Sequence, residues 1–348
     1  MRRKTKKIYV GDVAVGGDSD ISIQSMTNTD TKDIDRTVNQ IIEFEKNGCD
    51  ISRSAINSLE DAKAIPEIKR RTNIPFVADI QFDYKLALYA IRYGADCIRI
   101  NPGNIGGKDK LKEIVDACKE HNISMRVGVN SGSLSQEMID KYGGVNPDSI
   151  VYSALQYIRW IEDMNFYNMK ISLKSSDVMT SIEAYRKFSE LSDYPLHLGI
   201  TEAGPIFQGT IKSAVGIGSL LSMGIGDTIR VSLTGDPVEE VKVGKEILKS
   251  LGLRNEGVRL ISCPSCARTK IDLFSIVEEV VNRTQDLDKN ITIAVMGCPV
   301  NGPGEAKNAD IGISGANGTG VIFKKGKVVK QVKESELIDA LMEEVRRI

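Results

Sequence analysis

The 348-residue sequence has no long apolar run and no excess of charge of either sign. No stretch approaches the roughly 18 consecutive apolar residues that a membrane-spanning helix needs. Lys and Arg together number 46 and Asp and Glu 47, which gives a net charge of −1. Such a balance favours neither nucleic acid nor a membrane surface, so neither is an expected partner and any anion site must be a local basic cluster.

The sequence also lacks the signs of an extracellular protein. Six cysteines in a chain of this length are not typical of a disulfide framework. The basic residues 1–7 are followed by residues 8–12, which do not form the apolar core of a signal peptide. We therefore expect a cytoplasmic protein.

A repeated pattern of short β-rich runs and amphipathic stretches fills most of the chain. Many of the amphipathic stretches end at Gly or Asn, as at Asn47, Gly48 and Gly94. The predicted strands cover residues 21–26, 50–56, 75–80, 95–101, 124–130, 169–175, 196–202 and 228–233. Eight strand and helix units in about 230 residues predict an α/β fold with a closed (β/α)8 TIM barrel. An open doubly wound sheet is the alternative, but it usually has fewer strands.

A second pattern begins after a predicted linker at residues 251–257. It predicts strands at 258–262, 291–296 and 311–314, a helix at 269–284, a hairpin near Gly326 and a closing helix at 334–347. We therefore predict two domains, a barrel over residues 1–252 and a small α+β domain over residues 258–348.

Basic side chains recur at the carboxyl ends of the predicted barrel strands, where TIM barrels place their active sites. These side chains are Arg53, Arg99, Arg126, Lys174 and Arg230, with Asn130 and Ser232 close by in sequence. Two acids at strand ends, Asp79 and Glu202, cannot neutralise five cations, so the ligand is expected to supply negative charge. Because Arg forks suit phosphate geometry, the predicted ligand carries two phosphates or one diphosphate.

Two of these residues allow more than one role. Glu202 is a proton donor or base if burial tunes its pKa, or else an ion-pair partner of Arg230 or Lys174. Lys174, near the end of the sixth strand, occupies the position at which class I aldolases of this fold form a Schiff base. A phosphosugar aldolase and a non-catalytic phosphometabolite-binding protein are therefore alternative functions.

Three cysteines lie in turn-rich segments that follow predicted strands. Cys263 and Cys266 have two-residue spacing, and Cys298 follows after 32 residues. Three thiols leave one metal position for another ligand, which favours an iron–sulfur cluster with chemistry at that position. A structural zinc, such as an accessory domain of an aldolase would hold, is the alternative. The remaining cysteines are expected to be buried as small apolar side chains, namely Cys49, Cys97 and Cys118.

Several longer motifs occur in order along the chain. They include Ala78-Asp79-Ile80, Arg99-Ile100-Asn101-Pro102-Gly103, Arg126-Val127-Gly128-Val129-Asn130, Leu198-Gly199-Ile200-Thr201-Glu202 and Asn301-Gly302-Pro303-Gly304-Glu305. In these motifs the sequence resembles the 4-hydroxy-3-methylbut-2-en-1-yl diphosphate synthase family (IspG/GcpE), in its short two-domain bacterial form. The resemblance implies a TIM barrel followed by an iron–sulfur domain. It also implies conversion of 2-C-methyl-D-erythritol 2,4-cyclodiphosphate to (E)-4-hydroxy-3-methylbut-2-en-1-yl diphosphate, a two-electron reductive ring opening with loss of water in the non-mevalonate (MEP) isoprenoid pathway.

The resemblance also implies roles for individual residues. A [4Fe-4S] cluster is held by three cysteines and, without substrate, a glutamate, which correspond to Cys263, Cys266, Cys298 and Glu305. The substrate-binding residues correspond to Arg53, Arg99, Arg126, Asn130, Lys174, Arg230 and Ser232. Glu202 corresponds to the acid near the substrate, so Glu202 and Glu305 are the expected catalytic carboxyl groups. Ferredoxin or flavodoxin supplies the electrons, and the family is a homodimer in which the cluster domain of one chain caps the barrel of the other.

Two segments depart from the family pattern. Gln81 replaces a histidine, and an amide cannot titrate, so a proton relay at this position is not expected. Residues 52–57 keep Arg53 but surround it with more polar neighbours and lack a proline. The direction in which Arg53 points is therefore less constrained by the sequence.

Overall fold

The computed structural model describes residues 2–285, 287, 289–300, 304 and 306–348. The chain divides into two compact units, Met1–Arg254 and Asn255–Ile348. Among the described residues, no helix is long and apolar enough to cross a membrane.

A two-stranded antiparallel hairpin precedes the barrel. Strands β1 (Ile8–Val10) and β2 (Val13–Val15) pair in a register that places Ile8 opposite Val15. Gly11, with a φ of 58°, begins the tight turn between them. The apolar side chains of the hairpin pack against Ile51, Val77 and Cys97, which lie at the amino-terminal ends of barrel strands. The hairpin therefore covers the amino-terminal end of the barrel.

The sheet of the first unit consists of parallel strands. They are β3 (Ser22–Met26), β4 (Ile51–Ala55), β5 (Phe76–Asp79), β6 (Cys97–Ile100), β7 (Ser124–Asn130), β8 (Met169–Lys174), β9 (His197–Leu198) and β10 (Thr228–Ile229). Their order is β8-β7-β6-β5-β4-β3-β10-β9, and a parallel bridge between Ile171 and Leu196 joins the two ends of the sheet. The predicted (β/α)8 TIM barrel is confirmed.

Helices surround this sheet and bury apolar faces against it. They are α1 (Ile34–Lys46), α2 (Leu59–Arg71), α3 (Tyr84–Arg92), α4 (Lys108–Glu120), α5 (Gln136–Tyr142), α6 (Pro147–Glu162), α7 (Val178–Leu191), α8 (Ile206–Ser222) and α9 (Pro237–Ser250). Helix α9 shows how the sequence sets a start point, because the Asp236 carboxylate accepts the N–H of Val238 and Pro237 occupies the first turn. This start places Glu240 in the first turn of α9, next to the end of β10.

The last two barrel strands are shorter than the sequence predicts. Strands β9 and β10 end at Leu198 and Ile229, whereas the alternating pattern predicts ends at residues 202 and 233. Glu202 has a φ of 54° and Gly204 a φ of 103°, so the chain leaves the extended conformation at the predicted end of β9. Helix α5 was not predicted.

The second unit is a mixed five-stranded sheet with two helices among its described residues. Its elements are β11 (Arg259–Ser262), α10 (Leu273–Thr284), β12 (Thr292–Met296), β13 (Ile311–Ala316), β14 (Thr319–Lys324), β15 (Lys327–Lys333) and α11 (Leu337–Arg346). Strands β11, β12 and β13 are parallel, and β14 and β15 are antiparallel additions at one edge. A second apolar core lies between this sheet and its helices. This is the predicted α+β architecture.

Candidate active site

Five basic side chains meet inside the carboxyl-terminal half of the barrel. We refer to Arg53, Arg99, Arg126, Lys174 and Arg230 as the basic cluster. Strand register places Arg99 opposite Arg126 and Asn130 opposite Lys174. Four members are buried and Arg230 is mostly buried, with 17% of its side chain exposed. The sequence predicted that these residues would converge, and they do.

Asp79 is the buried acid in contact with the basic cluster. Its carboxylate lies 3.1 Å from Nη1 of Arg99 and also accepts a hydrogen bond from the Gln81 amide at 3.2 Å. Burial raises the pKa of Asp79, but the nearby guanidinium groups of Arg53, Arg99 and Arg126 outweigh it, so the pKa is lowered. Gln81 therefore acts as a fixed hydrogen-bond donor at the position where the family pattern has a histidine.

A second acid, Glu240, contacts the basic cluster from outside the strands. Both of its carboxylate oxygens lie 3.3 Å from Nη2 of Arg230. The carboxylate also accepts hydrogen bonds from the Ser25 hydroxyl and the Leu233 N–H. The strand-end pattern does not reveal Glu240, because this residue lies in the first turn of a helix. The Asp236-Pro237 start of α9 was the signal that would have placed a first-turn acid near the barrel mouth.

Arg126 is the most deeply buried member of the basic cluster. Its Nη1 donates to the Gln24 side-chain oxygen at 3.1 Å, and its Nε has no partner among the described residues. Burial, reinforced by the positive charge of Arg99, lowers the pKa of Arg126 to about 10. An Arg so weakly compensated has a strong need for an anion.

Arg53 points into the barrel although its neighbours are polar. Its Nε and Nη2 atoms lie 3.1 and 2.8 Å from the Met26 sulfur. Ser52 donates to the Pro75 carbonyl and Ser54 shares a hydrogen bond with Thr27, so the polar neighbours are satisfied away from the arginine. Burial and the surrounding arginines lower the pKa of Arg53 well below its usual value.

Lys174 has no hydrogen bond or ion pair among the described residues. Burial lowers its pKa well below the usual value, and Arg126, Arg53, Arg230 and Arg99 lower it further. Its Nζ lies only 3.3 Å from where a Cβ on Gly199 would be. The Arg230 carbonyl oxygen would be closer still, at 2.7 Å, so a side chain at Gly199 would meet both the backbone of Arg230 and the lysine.

Gly128 makes room for Arg99 in the same way. A Cβ at Gly128 would lie 3.1 Å from Arg99 Nε. Gly128 and Gly199 both occur in the quoted motifs, but the motifs alone do not indicate their role, because each close approach depends on a side chain of the neighbouring strand.

The remaining predicted barrel residues lie at the mouth with less burial. Asn130 and Ser232 are half-buried at the ends of β7 and just beyond β10. Glu202 is exposed on the loop after β9, and among the described residues it forms no ion pair with Arg230 or Lys174. Arg230 is paired with Glu240 instead. Of the two roles that the sequence left open for Glu202, the ion pair is absent in this structure.

The three cysteines predicted to bind an iron–sulfur cluster lie in the second unit. Cys263 directly follows β11 and Cys298 follows β12 by two residues, and these strands are adjacent and parallel. The Gly297 N–H donates to the Cys263 sulfur at 3.2 Å. The backbone N–H and side chain of Arg268 lower the pKa of Cys266. Thiols that accept N–H groups are suited to bind iron–sulfur clusters.

The geometry of a complete metal site is not formed by the described residues. Within this part of the chain, no group of three or more His, Cys, Asp or Glu side chains is arranged to hold a metal ion. Glu305, the fourth expected ligand, lies outside the described residues. The thiols of Cys263, Cys266 and Cys298 nevertheless have the donor chemistry that an iron–sulfur cluster requires.

The other three cysteines are buried as predicted, and burial raises the pKa of Cys49 to about 12.

Comparison with solved structures identifies the fold of the barrel. A dihydropteroate synthase from Yersinia pestis aligns with a TM-score of 0.52 at 11% identity, over 71% of this chain and 97% of that chain. A 3-dehydroquinate dehydratase from Clostridium difficile also aligns with a TM-score of 0.52, at 13% identity over 71% of this chain and 98% of that chain. At such identities the likeness concerns the fold alone.

Comparison with other sequences is more specific. Two chains named 4-hydroxy-3-methylbut-2-en-1-yl diphosphate synthase (flavodoxin) match over 100% of this chain. The one from Clostridium perfringens is 57% identical over 99% of its own length, and the one from Caldanaerobacter subterraneus is 56% identical over 98%. Residues 5–245 match the GcpE TIM-barrel domain and residues 259–347 match the GcpE protein C-terminal domain. The chain therefore belongs to the GcpE family.

Proposed function

We propose that the protein catalyses the reductive ring opening and dehydration of 2-C-methyl-D-erythritol 2,4-cyclodiphosphate to (E)-4-hydroxy-3-methylbut-2-en-1-yl diphosphate in the MEP pathway. The observation that carries this proposal is the charge imbalance of the basic cluster. Among the described residues its five basic side chains form ion pairs with only two acids, Asp79 and Glu240. A bound diphosphate supplies the missing negative charge. The names of the full-length relatives support the same substrate class.

The barrel residues bind and orient the substrate. In this proposal the basic cluster holds the cyclic diphosphate, with Asn130 and Ser232 as hydrogen-bonding groups at its edge. Asp79 fixes the guanidinium of Arg99 and Glu240 fixes that of Arg230, so both forks are oriented before the ligand arrives. Glu202, exposed at the mouth, donates the proton that the departing oxygen needs to leave as water.

The second domain is proposed to hold a [4Fe-4S] cluster through Cys263, Cys266, Cys298 and Glu305. When bound, the cluster supplies the two electrons of the reduction and Lewis acidity at its non-cysteine position. Residues 1–252 are thus assigned to substrate binding and residues 258–348 to the cluster. A flavodoxin is the proposed electron donor, as in the names of the relatives, and ferredoxin is the alternative. We place the protein in the cytoplasm.

A homodimer is proposed in which the cluster domain of one chain covers the barrel of the other. An exposed apolar stripe on α8 supports self-association of the barrels. Phe207, Ile211 and Val215 follow one another at four-residue intervals, and about half or more of each side chain is exposed. Beside the stripe, α8 and α9 border a groove of about 490 Å³. Apolar surface of this kind marks protein contacts.

The aldolase alternative has one structural point in its favour. The lowered pKa of Lys174 is what a Schiff-base amine requires. The causes, however, are burial and, after it, the charges of nearby arginines, which a bound diphosphate would neutralise. Neither an aldolase nor a non-catalytic binding protein finds support among the full-length relatives. Borohydride trapping with carbonyl phosphosugars separates the two functions, since we expect no covalent adduct at Lys174.

The test of the proposed function is turnover by anaerobically purified protein. We expect a brown protein with absorbance near about 400 nm and about four irons per chain. With reduced flavodoxin it should convert the cyclic diphosphate, and Cys298→Ser should lose iron and turnover together. Cys118→Ser is the matched control, because Cys118 is buried in the barrel. Colourless protein with one zinc after anaerobic reconstitution would overturn the proposal.

A further inference from the structure

One buried lysine inside the barrel is not among the residues assigned to the proposed ligand site. Lys170 is the second residue of β8, four residues before Lys174, and its side chain is 0% exposed. At a rise of about 3.3 Å per residue, the two lysine Cα atoms lie about 13 Å apart along the strand. Register places Lys170 opposite Arg126 on β7. Lys170 therefore lies level with Arg126, the most deeply buried member of the basic cluster, and below Lys174, towards the amino-terminal end of the barrel.

The positive charge of Lys170 is not compensated by a neighbouring acid. Its Nζ has no hydrogen-bond partner among the described residues. Lys170 interacts electrostatically with Cys97 on β6, Arg126 on β7 and Arg53 on β4. It also interacts electrostatically with His197 on β9. Asp79 and Glu240 direct their ion pairs to Arg99 and Arg230 instead. An ammonium group in such surroundings is strongly disfavoured.

The layer around Lys170 is polar although it is enclosed. The hydroxyls of Ser22 and Ser124 and Nε2 of His197 also lack partners in the described part of the chain. Below this layer, the apolar side chains of the hairpin close the barrel. Apolar residues would fill this space at a lower free energy, so a purely structural role does not account for the lysine.

We propose that Lys170 is a positioning residue that takes up a proton when the basic cluster binds a diphosphate, and so strengthens the binding of that anion from below without touching it. The inference rests on the proposed function, which supplies the diphosphate. Negative charge on the ligand favours the protonated amine, and by linkage the protonated amine favours the ligand. Burial, reinforced by Arg126 and Arg53, lowers the pKa of Lys170 to about 8 in the free protein. About half of the amine is therefore available to take up a proton at pH 8.

Isothermal titration calorimetry of the anaerobically prepared full-length protein tests the inference. Inorganic diphosphate and the cyclic diphosphate are titrated at pH 6.5, 8.0 and 9.5, in buffers that differ in ionisation enthalpy, which gives the number of protons taken up. We expect Lys170→Met to lower the uptake at pH 8.0 by up to about half a proton per chain. The variant should bind the diphosphate about tenfold more weakly at pH 6.5. This ratio assumes roughly 12 Å between the Lys170 ammonium group and a ligand charge, and an effective dielectric constant of about 20. That ratio should shrink towards one at pH 9.5, where the wild-type amine is neutral before binding.

Two further proteins make the result decisive. Lys170→Gln removes the charge with a polar side chain, and Lys112→Met makes the same exchange on the exposed face of α4. Lys112→Met should match the wild type at every pH. Equal proton uptake and a pH-independent affinity ratio in both Lys170 variants would overturn the inference. Should both variants fail to fold, wild-type uptake that does not rise from pH 6.5 to 8.0 would overturn it as well. Failure of the wild type to bind either diphosphate would instead count against the proposed function.

Discussion

Among the single residues of the basic cluster, Arg126 offers the clearest test of diphosphate binding. We expect Arg126→Ala to raise the KM for the cyclic diphosphate about 10- to 100-fold, since a charge-assisted hydrogen bond contributes about 1.5–3 kcal/mol. Arg126→Lys keeps the charge but loses the fork, so its KM should lie between those of the wild type and the Ala variant. Steady-state kinetics with reduced flavodoxin provide the measurement. A KM within twofold of the wild type in Arg126→Ala would contradict the role.

The lowered pKa of Lys170 also leads to a prediction of how the stability of the barrel depends on pH. Its pKa is about 8 in the folded chain and about 10.4 when unfolded, so between these values the unfolded chain binds more protons. The free energy of unfolding of the wild type should therefore rise as the pH increases from 8 to 10. Below pH 8 the folded wild type carries the full free-energy cost of a buried, protonated Lys170. At such pH values Lys170→Met should be more stable than the wild type by about 2–3 kcal/mol.

Urea unfolding provides the measurement for this prediction. Trp160 in α6 is the single tryptophan of the chain, so its fluorescence reports on the barrel. The stability gain of Lys170→Met should shrink from pH 7 to pH 9.5, whereas Lys112→Met should show no pH-dependent gain. A gain that is constant over this range would assign the effect to packing rather than to the charge.

Residue-level prediction from the sequence succeeded where strand position decides the outcome. Arg53, Arg99, Arg126, Lys174 and Arg230 converge because parallel strands bring their carboxyl ends to one mouth. Glu240 was missed because its position depends on where α9 starts relative to β10. Glu202 was expected near the cations, but the left-handed turn at this residue leaves it exposed.

At the scale of elements, α8 carries the prediction about assembly. Phe207→Asp together with Ile211→Asp would place two charges in the exposed apolar stripe. We expect this variant to shift the protein from dimer to monomer, measured by sedimentation equilibrium, because a buried unpaired carboxylate is strongly unfavourable in an interface. Val145→Asp alters an equally exposed apolar residue before α6 and serves as the control. An unchanged mass in the α8 variant would exclude this face from the dimer contact.

The strand and helix order could be predicted from the sequence, but the ends of some elements could not. The alternating pattern holds through Ser124–Asn130, where the observed and predicted strands coincide. It predicts β9 and β10 too long, because apolar residues beyond these strands pack against helices: Ile200 and Leu233 lie close to α8, and Val231 lies close to α9. Helix α5 was missed because it is only seven residues long and buries one residue, Met138.

For the whole molecule, the sequence separates two units but does not show how the cysteines reach the basic cluster. The chain divides between Arg254 and Asn255, and residues 251–257 are the predicted linker. Residue patterns describe each core, whereas domain arrangement depends on a small number of surface contacts. The proposed iron–sulfur ligands and the basic cluster belong to different units, so the proposed reaction needs either closure within one chain or a contribution from a second chain.

Mixing two impaired variants, assayed at a cyclic diphosphate concentration far below the KM of Arg126→Ala, distinguishes these arrangements. Arg126→Ala impairs the barrel and Cys298→Ser impairs the cluster domain. If each site combines the barrel of one chain with the cluster domain of the other, a mixed dimer contains one site in which both parts are intact. Random exchange of subunits would then restore about a quarter of the wild-type activity. A site built within one chain would leave every mixture at the mean activity of the two separate variants, because each chain then carries its own defect. Activity is measured after reversible dissociation and reassociation of equimolar variants, with the separately treated variants as controls. Restored activity would support the proposed arrangement, and its absence in verified mixed dimers would overturn it.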